Sequence, residues 1–82
     1  MSDKRWQERI QDILAAIAEI DAFVAGLDQA AFLSDLKTQK AVVANLTVIG
    51  EAARHVPDGV VERYPEIPWA SMRGMRNRIV HG

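Results

Sequence analysis

Residues 6–27 read WQERIQDILAAIAEIDAFVAGL, and the apolar side chains of that stripe fall at Trp6, Ile10, Ile13, Leu14, Ile17, Ile20, Val24 and Leu27. Steps of three and four residues put all eight on one side of a long helix, since 3.6 residues complete a turn. Ser2 and Asp3 are suited to cap its start, because their side-chain oxygens accept from the unpaired N–H groups of a first turn. A helix with one apolar stripe is stable only against another apolar surface, so the rest of the chain must supply one.

Moving outward from that helix, Asp28–Leu33 fits a short turn or helical piece. Ser34 stands where a cap would open a second long helix, with Leu36, Val42, Val43, Leu46, Ile49 and Ala53 turned inward. This helix should stop near His55, because Pro57 disfavours helical geometry in the residue before it and Asp58-Gly59 favours a turn. Val60–Tyr64 can make a short helix that Pro65 ends. Pro68 then opens a last helix through Trp69, Met72, Met75, Ile79 and Val80, with Gly74 as its weak point. There is no alternating strand pattern, internal repeat, low-complexity stretch or dividing linker. The expected fold is all-α: an antiparallel helical bundle of two long helices and shorter C-terminal ones, with residues 1–82 as one domain.

A chain of 82 residues builds a marginal core unless something else covers its apolar surface, and a partner is the usual remedy. The absence of Cys rules out disulfides and thiolate metal sites. No apolar run is long enough to span a bilayer, and MSDKRWQERI has no signal-peptide core, so the expected location is cytoplasmic. The net charge of −1 hides an asymmetry. Residues 1–70 hold all eleven acids against seven Lys and Arg, about −4, whereas the last twelve hold three arginines and no acid, about +3. A basic end of this kind is the footprint of contact with nucleic acid.

That end contains Arg76-Asn77-Arg78-Ile79-Val80-His81. An imidazole can take or give a proton near neutral pH, and a guanidinium carries a permanent charge on a planar fork that fits phosphate. The two suffice for phosphodiester chemistry without a metal. At 100° per residue, Asn77 and His81 share a helix face, whereas Arg76 and His81 point about 140° apart. Three arrangements remain open: the guanidinium reaches around, the helix is distorted, or the Arg of one chain meets the His of another across a twofold axis. The last predicts an obligate dimer with a composite cleft.

Three segments in order, Ile49-Gly50-Glu51-Ala52, Arg63-Tyr64-Pro65-Glu66-Ile67-Pro68-Trp69 and Met75-Arg76-Asn77-Arg78-Ile79-Val80-His81-Gly82, resemble the HepT-like family of HEPN-domain ribonuclease toxins. These toxins are paired with minimal nucleotidyltransferase (MNT) antitoxins. The similarity covers nearly the whole chain, weaker in the first helix and stronger from Gln39 onward. It implies a HEPN-like helical bundle that forms a homodimer and cleaves RNA without metal or cofactor. Carried over by position, Arg76 and His81 match the catalytic pair and Asn77 the polar residue after the arginine, while Glu51 is a candidate for a supporting role. In adenylylated family members a tyrosine follows the histidine by two positions. Here Gly82 fills the intervening position and the chain ends, so the resemblance also suggests a shortened protein.

Other residues have plainer readings beside these. Arg73 and Arg78 could bind RNA phosphates or only solubilise the helix. His55 suits a helix C-terminus, where a cation complements the macrodipole. Trp6 and Trp69 lie on apolar stripes and fit core or dimer contacts better than base stacking. Met72 and Met75 fit packing, Gly50 permits a close helix approach, and Glu51 could pair along its own helix with Arg54 or His55. The rival function is a non-catalytic helical module that dimerises and binds the antitoxin or RNA. A DNA-binding protein would need a recognition helix richer in base-reading side chains.

Overall fold

A computed structural model describes the backbone of residues 5–81 and the side chains of residues 5–75. It contains α1 (Trp6–Val24), α2 (Gln29–Leu33), α3 (Leu36–Arg54), α4 (Asp58–Arg63) and α5 (Trp69–His81). Among the described residues there is no strand, and the fold is an all-α bundle.

The helix boundaries follow local chemistry, with three departures from the sequence expectation. α1 opens at Arg5, whose carbonyl accepts from the Glu8 and Arg9 amides without a side-chain cap. Ser2 and Asp3, the expected caps, lie outside the described residues. α1 also ends before Leu27, because Gly26 turns the chain through a φ of +78°, a left-handed conformation that costs glycine least. Ser34 does not cap α3. Its hydroxyl donates to the Ala30 and Ala31 carbonyls, both at 3.1 Å, and so closes α2. Asp35 caps α3 instead, accepting from the Thr38 amide at 3.0 Å and the Thr38 hydroxyl at 2.7 Å. Those two bonds, the hydroxyl first, hold the Asp35 carboxyl below its ordinary value of 3.8. Asp58-Gly59, expected as a turn, forms the first residues of α4, since Pro57 offers its carbonyl to the Val60 and Val61 amides.

α3 is the central element. It runs back along α1, with Asn45 near Glu19, and also packs against α5. Among the described residues the backbones of α1 and α5 come less close to each other than either does to α3. The core is formed by Ile13 and Ala16 of α1, Ile49, Ala52 and Ala53 of α3, and Val56, Val60 and Trp69 beyond it. Two residues expected inward on α3 are not: Leu36 is 63 % exposed and Val43 is also exposed. At 100° per residue both point about 120° or more away from Ile49, so they sit outside the face that α1 covers. Asn45 and Ala52 occupy that face instead. The stripe of α1 is wider than α3 can cover. Leu14 and Ile17 remain exposed and, with Leu46, Trp69 and Met72, border an apolar groove of about 520 Å³ between α1 and α5. The incompletely covered core expected from chain length is visible there.

Candidate functional site

The segment Tyr64–Trp69 sets where α5 begins. The Ile67 amide donates to the Tyr64 carbonyl at 3.2 Å, and the Trp69 amide to the Ile67 carbonyl at 2.8 Å, so the chain folds into a tight corner. The Trp69 indole N–H then donates to the Tyr64 carbonyl at 3.0 Å while its ring, 6 % exposed, enters the core. Trp69 is therefore a core residue, as its place on an apolar stripe suggests. The Pro68 carbonyl accepts from the Met72 amide and completes the first turn of α5.

One turn further on, Arg73 ties α5 to α3. Its Nε donates to the Ala53 carbonyl at 2.9 Å and its Nη2 to the Val56 carbonyl at 2.8 Å. Nη1 lies 3.9 Å from an Asp58 carboxylate oxygen that is almost fully exposed. The last carbonyls of a helix have no helical partners and carry the negative end of its dipole, so a guanidinium there satisfies both. Arg73, which the sequence offers as a ligand for RNA phosphates or as a solubilising charge, thus has its Nε and Nη2 donors engaged by the protein itself. Sequence reading missed this because the acceptors are backbone groups, which no residue type announces. His55 occupies the backbone cap of α3, its amide donating to the Ala52 and Ala53 carbonyls.

Beyond Arg73 the backbone of α5 stays helical through His81. Arg76, Asn77, Arg78 and His81 all belong to this helix, and their side chains lie outside the described residues. Glu51 is half-buried on the last two turns of α3, the helix that α5 packs against. The tertiary structure therefore carries the whole Arg76–His81 segment on an element held at its start by an indole and a guanidinium.

A family model described as ribonuclease HepT-like matches residues 13–82, from the middle of α1 past the end of α5. The chain belongs to the HepT-like ribonuclease family. Among relatives of this HepT-like chain, a Methanocaldococcus jannaschii protein named as a candidate RNase is 39 % identical over 72 residues, 88 % of the chain and 60 % of the relative. A Thermococcus cleftensis protein named "Probable ribonuclease HepT" is 39 % identical over 75 residues, 92 % of the chain and 68 % of the relative. A second candidate RNase of Methanocaldococcus jannaschii is 31 % identical over 81 residues, 99 % of the chain and 74 % of the relative. The HepT-like chain thus spans 60 % to 74 % of the length of these relatives. No solved structure matches it. Among the described residues no helix is long and apolar enough to cross a membrane.

Proposed function

We propose that this HepT-like chain is an endoribonuclease that cuts RNA without a metal, using Arg76 and His81 of α5. The observation that carries this reading is the family match over residues 13–82, which takes in the entire Arg76–His81 segment. In the proposed reaction the ribose 2′-hydroxyl attacks phosphorus, a 2′-O–P bond forms and the bond to the 5′-oxygen breaks. His81 takes the proton from the 2′-hydroxyl or delivers one to the departing 5′-oxygen. Arg76 offsets the charge that builds on the phosphorane oxygens. Asn77, one helical turn before His81, holds the imidazole, and Arg78 meets a neighbouring phosphate; Glu51 supports the cleft from α3. The products are a 2′,3′-cyclic phosphate and a 5′-hydroxyl, and DNA, which lacks the nucleophile, is left intact.

The 140° between positions 76 and 81 on a continuous helix favours a cleft shared by two chains, so the active species in this reading is a homodimer. Its biological setting is the cytoplasmic toxin of a toxin–antitoxin pair, restrained by an MNT-type nucleotidyltransferase. The decisive assay incubates the purified protein with RNA and with DNA in EDTA, beside Arg76→Ala and His81→Ala. Parent cleavage of RNA alone, lowered on the order of 10²- to 10⁴-fold in each variant, is the expected result. Cleavage that persists in both variants sinks the assignment of these residues. An inactive parent favours the non-catalytic dimerising module.

A further inference from the structure

We propose that Arg73 is a positioning residue, setting the register of α5 on α3 and through it the placement of Arg76 and His81. The inference rests on the ribonuclease reading for its functional consequence, but its structural half stands on geometry alone. Two nitrogens of one planar group hold two carbonyls three residues apart, Ala53 at 2.9 Å and Val56 at 2.8 Å. Both belong to residues buried at the junction of α3 and the following loop, 0 % and 2 % exposed. A fork held at two points resists both sliding and rotation, which a single point contact does not.

A one-residue rotation of α5 swings the guanidinium by 100°, and a one-turn slip moves it about 5.4 Å; either breaks both bonds at once. Because α5 is a continuous helix, fixing residue 73 fixes the backbone phase of position 76, about 4.5 Å further along the axis, and of position 81, about 12 Å along. The other anchor, Trp69, sits four residues earlier, so the two together hold the first turn and a half on one side of the helix. Gly74, the next residue, has nothing within 4 Å of an added Cβ and so supplies no steric stop of its own. The Asp58 contact, at 3.9 Å and nearly fully exposed, contributes little to the clasp.

The test uses Arg73→Lys, which keeps the cation at the C-terminus of α3 and loses the fork, with Arg73→Gln as a second variant and Asp58→Asn as control. The protein has no Cys, so nitroxide labels on Ala44→Cys of α3 and Ala70→Cys of α5, both exposed, report the distance between the two helices. We expect a narrow distance distribution in the parent and in Asp58→Asn, and a broadened or displaced one in Arg73→Lys at unchanged helix content. We expect kcat on RNA to fall on the order of 10- to 100-fold with KM within about twofold, the signature of misplaced reacting groups. An unchanged distribution in Arg73→Lys overturns the proposal, as does loss of the fold in both variants, which assigns Arg73 to stability alone. A raised KM with a weaker salt dependence overturns it in favour of phosphate binding. If the parent does not cleave RNA, the distances still decide the register claim, and only the catalytic reading falls.

Discussion

The two ends of α3 are built differently. Its N-terminal half leaves the apolar side chains of Leu36 and Val43 exposed, and is held by local bonds to α2 and by the Asp35 cap. Its C-terminal end carries Ala52 and Ala53, which have little apolar surface, and buries them completely or nearly so among α1, α4 and α5. What differs between the two ends is therefore what stands opposite the side chains and not how apolar they are, since Ile49, as large as Leu36, is buried beside the two alanines. The small side chains at positions 52 and 53 let the elements approach there, and Leu-sized ones at those two positions would hold the helices apart. The tight end is also where α5 starts, so the segment that carries Arg76 and His81 grows out of the best-packed part of the molecule.

The contrast makes a quantitative demand on stability. Trp69→Ala at the tight end should cost about 3–5 kcal/mol, chiefly through the lost ring, while Leu36→Ala should cost about 0.5 kcal/mol or less. Urea denaturation of the two variants checks the pair; equal losses would show that the two ends of α3 share one packing environment. A smaller effect of opposite sign is expected at Gly74. An added methyl meets open space there, so Gly74→Ala should stabilise α5 by about 1 kcal/mol in the same assay. Should cleavage of RNA disappear in that stabilised variant, the face of Ala70, Ser71 and Gly74 must be approached closely by another chain. The slightest change belongs to the loose end. The Asp35 carboxyl has a folded value below its ordinary 3.8, so its contribution is fully present above 3.8 and is lost as pH falls through the folded value. Acid titration of helix content by circular dichroism should therefore show a transition below 3.8 that Asp35→Ala removes, with no difference between the two proteins in how helicity changes between pH 5 and 8.

Periodicity and punctuation were sufficient for much of this architecture. The apolar stripe from Trp6 to Val24 specifies α1, Pro57 and His55 mark the end of α3, and the order of the Ile49-Gly50-Glu51-Ala52, Tyr64–Trp69 and Arg76–His81 segments identifies the family. These are local signals: a turn of helix, a missing N–H or a motif is complete within a few neighbouring residues. The cap of α3 was less legible: the sequence reading points to Ser34, and the Thr38 hydroxyl favours the Asp35 carboxylate one residue later. Three features needed the assembled molecule: the exposure of Leu36 and Val43, the groove beside Leu14 and Ile17, and the grip of Arg73 on α3. Each depends on what stands opposite a side chain, and helices adjacent in space bring together groups 17 to 26 residues apart, as with Arg73 and Val56 or Asn45 and Glu19. Spacing along the chain says which residues share a face; the neighbours that cover that face, or leave it open, are settled only when the helices pack.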